Sequence, residues 1–219
     1  MNRTATMTEA AARTLGTGYE TIRLVHHGAK QWSFAEEPPT VVENAALQHY
    51  AAEGWDGVAV EGLSIMFLIK LAAFVEIDPH HVMGCTEAIF SRNLINPKTT
   101  AAELLSTMVS ADRSRIIRNS QIIRPGKQSF FPGLRKTDLV CLFDALGPDR
   151  LHQIATIFAK APYEFRSGWP DLTLWNGNQV AFREIKAPGD KMHFSQKRLL
   201  SEILVPLGYD VRLVDVLPE

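Results

Sequence analysis

Two short apolar runs near the carboxyl terminus, separated by an Asn-Gly pair, constrain the fold more than any other feature of this sequence. Residues 171–175 and 180–186 have the composition of β-strands, and Asn176-Gly177 between them is a strong signal for a tight hairpin turn. A helix marked by Leu199 and Leu204 and a final strand over residues 209–216 follow. This order of hairpin, helix and strand predicts an α/β or α+β domain.

The chain is long enough to build one generous domain around an ordinary core. It has 219 residues, of which 46% are hydrophobic and 21% are charged, and these proportions argue against disorder, collagen and coiled coil. Its two cysteines, Cys85 and Cys141, are far apart and suggest neither a disulfide framework nor a zinc ribbon. Because no apolar run is long enough to span a bilayer, we expect a soluble protein of the cytoplasm with no membrane partner.

The first forty residues are set apart as a weakly committed and partly flexible segment, so we expect the main domain to cover residues 41–219. Thr40 and Glu43 have the spacing of a capping box, which predicts a helix over residues 41–53. A second helix, nearly all apolar and therefore buried, is predicted over residues 63–77. Further helices are expected within an insertion at about residues 80–165.

The two strands of the hairpin place acidic residues where they can meet. Side chains alternate between the faces of a strand, and paired residues of antiparallel strands share a face. Any loop with an even number of residues therefore puts Asp171, Glu184 and Lys186 on one face of the sheet, whereas an odd loop would separate them.

Two carboxylates on adjacent strands can serve as ligands for a hard cation such as Mg²⁺ or Mn²⁺. Such an ion polarises a phosphoryl oxygen and lowers the pKa of bound water, while a nearby lysine can orient the attacking water. The pattern thus favours phosphodiester hydrolysis. An Asp/Glu-x-Lys triplet also arises by chance, so the residues alone leave open a surface hairpin with a cross-strand ion pair.

The wider context of the hairpin resembles a known family. Residues 165–176 read FRSGWPDLTLWN, residues 182–190 read FREIKAPGD, and Gln196 follows on the next helix. This order resembles the virus-type replication-repair nucleases, a branch of the PD-(D/E)xK superfamily, and within them the nuclease module of the Fanconi-associated nucleases. The likeness extends over residues 41–219. It implies a restriction-endonuclease-like core, that is, a mixed sheet flanked by helices, with additional helices before the hairpin.

The resemblance also implies roles for individual residues. Asp171, Glu184 and the carbonyl of Ile185 would hold Mg²⁺ or Mn²⁺, and Lys186 would lie near the attacking water. Glu61 would complete the metal site, Glu43 would serve a second ion, and Gln196 would support the site or contact DNA. Three of these residues have ordinary alternatives. Glu43 would serve in a capping box, Gln196 would belong to a polar helix face, and Glu61 would pair with a lysine or a backbone donor instead of a metal.

The charge of the chain is unevenly distributed. Residues 1–110 carry a net −5 and residues 111–219 a net +4, so the second half is where a polyanion would bind. Residues 113–136 contain seven basic side chains and no acid. Such a stretch is either a path for DNA phosphates or an ordinary solvated face. The residues expected to contact DNA are Arg113, Arg115, Arg118, Arg124, Lys127, Lys191, Gln196 and Lys197.

The sequence therefore predicts a hydrolase, namely a divalent-metal-dependent nuclease acting on DNA. By resemblance, its substrate is branched DNA, either a 5′ flap cut by a monomer or a four-way junction cut by a symmetric homodimer. Two alternatives stay open: a noncatalytic DNA-binding or adaptor module that retains the fold, and a restriction-type endonuclease with sequence preference.

Overall fold

The structure, a computed structural model, describes residues 6–77, 86–91, 100–121 and 133–219. The helices are α1 (Met7–Leu15), α2 (Val42–Ala52), α3 (Leu63–Ala73), α4 (Thr86–Phe90), α5 (Ala101–Met108), α6 (Arg113–Gln121), α7 (Lys136–Phe158) and α8 (Phe194–Leu199). The strands are β1 (Gly18–Gly28), β2 (Gln31–Ser33), β3 (Asp56–Ala59), β4 (Leu172–Asn176), β5 (Gln179–Lys186) and β6 (Asp210–Pro218). A π-helical turn, Leu200–Leu204, continues α8.

These elements fall into two compact units. The first contains the chain up to Glu61 together with Gly168–Asn176 and Val180–Glu219, and it holds the described strands. The second contains Gly62–Ser167 and the tip of the hairpin, Gly177–Gln179, and it is helical.

The strands described form one mixed sheet in the order β2-β1-β6-β5-β4-β3. β6 pairs in parallel with both β1 and β5, whereas β2 and β3 pair antiparallel with β1 and β4. The predicted hairpin is present, since β4 and β5 are neighbours in the sheet. Its two-residue turn is Gly177 and Asn178 rather than the expected Asn176 and Gly177, because Asn176 is the last residue of β4. This arrangement places β5 near the centre of the sheet.

The two faces of β5 have different surroundings. Ile185 belongs to a buried apolar cluster with Ala46 and Tyr50 of α2 and with residues of β1, β4 and β6. Glu184, the preceding residue, therefore points to the opposite face, where its carboxylate accepts a hydrogen bond from Gln196 of α8. Helices α2 and α8 thus cover opposite faces of the sheet.

Residues 6–40 are part of the sheet unit, although the sequence prediction set the first forty residues apart. β1 pairs with β6 from Gly18 opposite Arg212 to Leu24 opposite Pro218, and Ile22 and Leu24 are buried. The alternation of buried and exposed side chains along β1 is the pattern expected of a strand that has only one of its own faces buried.

The start of α2 differs from the prediction. The N-cap residue is Val41, and no side chain caps the helix, so the predicted capping box of Thr40 and Glu43 is wrong. The reason is that the backbone of Thr40 forms a β-bridge with Trp32, with N–O distances of 2.8 and 2.7 Å. The carboxylate of Glu43 is consequently not engaged at the helix terminus.

The helical unit is built around α3, in which every residue from Ser64 to Ala73 is buried. This helix ends at Ala73 rather than at residue 77 because Phe74 adopts an extended conformation. Helix α7 is interrupted by a left-handed residue, Gly147, followed by Pro148, as expected where a proline removes a helical hydrogen bond. The helices of this unit thus begin earlier in the chain than the predicted insertion at about residue 80.

Candidate active site

The β4–β5 hairpin brings Asp171 to β5. Counting outward from the two-residue turn places Asp171 level with Glu184, one of the even registers that the sequence left open. Asp171 lies just before the first residue of β4, and its Oδ2 accepts a hydrogen bond of 2.7 Å from the backbone N–H of Ile185. The side-chain carboxylate of Asp171 thus accepts from a β5 N–H group just before the first residue of β4.

Glu184, Lys186 and Gln196 form one hydrogen-bonded group. The ammonium of Lys186 donates to Glu184 Oε1 at 2.7 Å and to Gln196 Oε1 at 3.4 Å, while Gln196 Nε2 donates to Glu184 Oε1 at 2.5 Å. Glu184 is 1% exposed and Lys186 is 6% exposed, so this ion pair is buried. Two of these bonds converge on one oxygen of the glutamate.

The other oxygen of that carboxylate, Glu184 Oε2, is buried without a hydrogen-bond partner among the described residues. A buried carboxylate oxygen without a donor destabilises the folded state, because it has lost its hydrogen bonds to water and has formed none within the protein. The site therefore offers a strong, unsatisfied electron-pair donor.

The electrostatics of the site disfavour two ionised carboxylates. Burial, reinforced by the charge of Asp171, raises the pKa of Glu184 to about 8 even though Lys186 acts in the opposite direction. Burial likewise raises the pKa of Asp171 to about 6, against the hydrogen bond from Ile185 and the charge of Lys186. Ionising both carboxylates in this site therefore costs free energy, even with Lys186 beside them.

Glu61 follows β3 and has an unusual backbone conformation. Its φ is +46° and that of the next residue, Gly62, is +75°. A glutamate rarely adopts a left-handed conformation, and such residues concentrate at functional sites. The charge of Glu61 contributes, after burial, to the raised pKa values of both Asp171 and Glu184.

The charge of Glu43, on the first turn of α2, also contributes to the raised pKa of Asp171. The charges of the predicted carboxylates Glu43 and Glu61 therefore act on the same region as Asp171 and Glu184. Even so, no group of three or more His, Cys, Asp or Glu side chains among the described residues is already arranged to hold a metal ion.

Gly168 lies beside the site, and its role was missed by the sequence reasoning. Its φ is +89°, and a Cβ built on it would lie 2.3 Å from the carbonyl carbon and oxygen of Ser195 and 2.7 Å from the nitrogen of Gln196. The loop that leads to Asp171 therefore rests directly on the first turn of α8. The available signal was the glycine three residues before Asp171, which indicates either a positive φ or a close backbone approach.

The first turn of α8 is also braced from within. Gln196 Oε1 accepts a hydrogen bond of 2.8 Å from the backbone N–H of His193, the N-cap residue. Of the open interpretations of Gln196, a polar helix face is insufficient, because this side chain joins the helix to the buried ion pair of Glu184 and Lys186.

The described arginines of the basic stretch over residues 113–136 differ in their burial. Arg115 is 8% exposed and donates hydrogen bonds to the carbonyls of Ala72, Thr107 and Ser110. Its assignment as a DNA contact is therefore wrong: the guanidinium satisfies the carbonyl groups of neighbouring helix ends and is not available to a phosphate.

The remaining arginines of α6 are exposed. Arg113 pairs with Asp144 at 2.6 Å, and Arg118 donates to the carbonyl of Val75 at 3.1 Å. Lys191 and Lys197, on either side of the start of α8, are exposed as well. Arg124 and Lys127 lie outside the described residues.

Comparison with known proteins supports the resemblance seen in the sequence. Residues 127–218 match the family model of the VRR-NUC domain. The Fanconi-associated nuclease 1 homolog of Schizosaccharomyces pombe is 26% identical over 200 aligned residues, which cover 84% of this chain and 28% of that protein. The homolog of Caenorhabditis briggsae is 27% identical over 190 residues, which cover 76% of this chain and 21% of that protein.

Solved structures show the same fold. Crystal structures of paFAN1 bound to gapped DNA with a 5′ flap of 2 or 1 nucleotides superpose with TM-scores of 0.65 and 0.57, at 19% and 17% identity. Both matches cover 100% of this chain and 39% of the paFAN1 chain. The predicted fold class, a restriction-endonuclease-like mixed sheet with flanking helices, is therefore confirmed.

These relatives are much longer, and this chain corresponds to between 21% and 39% of their lengths. None of the described helices is both long enough and apolar enough to cross a bilayer. The resemblance to the virus-type replication-repair nucleases is confirmed: over residues 127–218 the chain matches the VRR-NUC domain.

Proposed function

We propose that this chain is a divalent-metal-dependent nuclease that hydrolyses phosphodiester bonds in branched DNA, with a 5′ flap as the first candidate substrate. The observation that carries the proposal is the half-buried carboxylate of Asp171 beside the buried pair of Glu184 and Lys186. A structural ion pair would match one acid to one base, whereas this group has an excess of carboxylates and a buried oxygen without a donor among the described residues.

The donor set suits Mg²⁺ or Mn²⁺. Asp171, Glu184 and the carbonyl of Ile185 would hold the ion, with Glu61 as a further ligand and Glu43 available to a second ion. A bound divalent cation supplies charge that stabilises the phosphoryl transition state and lowers the pKa of a coordinated water. Its charge would also offset the cost of ionising the two central carboxylates, whose pKa values are raised mainly by burial and further by neighbouring acids.

Lys186 is held where it can act on the attacking water. Glu184 Oε1 and Gln196 Oε1 both accept from its ammonium, so two hydrogen bonds orient the side chain inside the site. A positioned ammonium group orients a water molecule by hydrogen bonding and stabilises the negative charge that develops on the phosphate oxygens. We propose this role for Lys186, with Gln196 as the residue that positions it.

DNA is the proposed polymer for two reasons. The relatives with similar sequence are nucleases, and the paFAN1 structures contain 5′-flap DNA. In addition, the exposed side chains of Lys191 and Lys197 flank the start of α8 in the sheet unit, and those of Arg113 and Arg118 lie on α6 of the helical unit. Basic side chains of this kind bind phosphates without regard to sequence and supply most nonspecific affinity.

The test is cleavage of end-labelled DNA by the purified chain with Mg²⁺ or Mn²⁺, compared with EDTA. The substrates are a 5′ flap, a four-way junction, a single strand and a plain duplex. The variant is Asp171→Asn, and the matched control is Asp56→Asn, which changes an exposed aspartate of β3 in the same unit.

We expect cleavage that requires both the metal and Asp171, with the flap cut fastest, and unchanged cleavage by Asp56→Asn. Preference for the four-way junction by a dimer of defined mass would replace the flap with the junction as substrate. Binding without cutting under every metal condition would overturn the proposal and favour a noncatalytic DNA-binding module.

A further inference from the structure

Phe194 stands out on the surface of the sheet unit. Its side chain is 81% exposed, the largest exposed fraction among the large hydrophobic side chains that the structure describes. Single exposed apolar side chains are common on protein surfaces, so the exposure of Phe194 gains a functional meaning only from its position and its neighbours.

The position of Phe194 is fixed with respect to the proposed active site. It is the first residue of α8, two residues before Gln196, whose side chain reaches Glu184 and Lys186. Residues two apart on a helix point in nearly opposite directions, so Gln196 faces the buried ion pair while Phe194 faces solvent. The close approach of Gly168 to Ser195 holds this turn in place.

The surface around Phe194 is basic. Lys191, His193 and Lys197 are exposed on either side of it, and neither lysine has an ion-pair partner in the part of the chain that the structure describes. An aromatic side chain flanked by unpaired lysines is the arrangement by which proteins bind single-stranded nucleic acid: the lysines contact phosphates and the ring stacks on a base.

We infer that Phe194 stacks on an unpaired base of DNA that passes over the start of α8, so that it recognises the single-stranded part of the substrate. The inference rests on the proposed nuclease function and adds to it a residue that selects the substrate. An unpaired base presents a free face to an aromatic ring, whereas a base inside a duplex has both faces covered by its neighbours. Phe194 therefore distinguishes a flap from a duplex without reading its sequence.

The experiment measures equilibrium binding by fluorescence anisotropy, with the full chain carrying Asp171→Asn so that no DNA is cut. The probes are a nicked duplex with a two-nucleotide 5′ flap, the same nicked duplex without the flap, and the flap probe with an abasic site at the flap nucleotide next to the junction. Phe194→Ala is compared with Phe194→Trp, which keeps a stacking ring, and with Phe194→Leu, which keeps only an apolar side chain.

We expect Phe194→Ala and Phe194→Leu to bind the flap probe about tenfold more weakly and the duplex without a flap equally well, with Phe194→Trp close to the parent. The abasic flap should weaken binding by the parent to a similar extent and weaken Phe194→Ala no further, because both changes remove the same stacked pair. Met7→Ala, which truncates another exposed apolar side chain, is the control and should change neither affinity.

Equal losses on both duplexes, additive losses with the abasic flap, or full affinity of the leucine variant would overturn the inference. Because Phe194 is exposed, its variants should keep the thermal stability of the parent, and binding can be compared between folded proteins. Metal-dependent cleavage by the wild-type chain is recorded in parallel. Cleavage with no effect of Phe194 defeats this inference alone, whereas neither binding nor cleavage by the wild type defeats the proposed function itself.

Discussion

Gly168 and Ser195 approach so closely that no other residue fits at position 168 without displacing the start of α8. A Cβ at this position would lie 2.3 Å from the carbonyl carbon of Ser195, which is backbone and cannot rotate away. Since Gln196 follows directly and hydrogen-bonds to Glu184, a shift of this turn reaches the buried ion pair. The glycine before the Pro-Asp pair thus positions the site from outside it.

We predict that Gly168→Ala lowers metal-dependent cleavage about a hundredfold, because displacements of about 1 Å in a preorganised site are costly. Gly54→Ala is the matched control, since Gly54 has a φ of +88° and a Cβ added there would meet no atom within 4 Å. Both variants carry the backbone penalty of about 1 kcal/mol for a left-handed alanine, but only the first carries the clash. Melting temperature and cleavage rate, measured together, would separate them, and equal activity of the two variants would contradict the prediction.

Truncation of Gln196 should act on catalysis more than on folding. Gln196→Ala removes the donor to Glu184 Oε1 and the acceptor of Lys186, so both groups lose a fixed orientation. We expect kcat to fall about ten- to a hundredfold with little change in KM, because the lost contacts are not contacts with DNA. The control is Gln179→Ala, which changes an exposed glutamine at the start of β5 and should leave kcat unchanged.

The sequence predicted the centre of the candidate site because that part depends on local rules. Alternation along a strand and an even-numbered turn suffice to bring Asp171, Glu184 and Lys186 together. By contrast, the contact between Gly168 and Ser195 depends on how a helix packs against a loop, and no local pattern encodes that distance.

The basic stretch shows a different limit. A row of arginines has the same composition whether it faces solvent or packs against carbonyl groups, so the DNA assignment included Arg115 by default. A helical pattern was nevertheless present, because Arg115, Ile116, Asn119 and Ser120 are the buried residues of α6 and recur at helical intervals. Burial of an arginine is decided by its partners, and these come from α3 and α5.

The metal-free protein should lose stability as pH rises. Because the folded state raises the pKa of Asp171 to about 6 and of Glu184 to about 8, it binds protons more tightly than the unfolded chain. The penalty for ionising these groups is absent below about pH 4, grows as pH rises, and is complete above about pH 8. We expect the melting temperature in EDTA to fall over this range, and Mg²⁺ to raise it more at pH 8 than at pH 5.

Asp171→Asn tests the same relationship by substitution. The asparagine oxygen can still accept from Ile185 N–H, while one of the repelling charges is gone. In EDTA at pH 8 we expect the variant to be more stable than the wild type by about 2 kcal/mol, or about 5 °C in melting temperature. The control Asp56→Asn should change neither value. A lower melting temperature of Asp171→Asn than of the wild type would show that the ionised carboxylate stabilises the folded state, and would contradict the prediction.

Arg115 and Arg118 lie one turn apart on α6 and should respond oppositely to truncation. Arg115→Ala leaves the carbonyls of Ala72, Thr107 and Ser110 without their charged donor, so we expect a loss of about 2 kcal/mol in the free energy of unfolding. Arg118→Ala removes an exposed side chain, so stability should stay within about 0.5 kcal/mol of the wild type.

DNA binding by the same pair should show the reverse order. Arg118→Ala should weaken binding and reduce the slope of log affinity against log salt by about one, as expected for the loss of a single phosphate contact. Folded Arg115→Ala should keep the wild-type slope, because its guanidinium is buried among backbone carbonyls. Thermal denaturation and salt titrations on both variants provide the comparison. If Arg115→Ala lowered the salt slope while retaining full stability, the guanidinium would have to leave its carbonyl partners to reach DNA, and its structural assignment would be wrong.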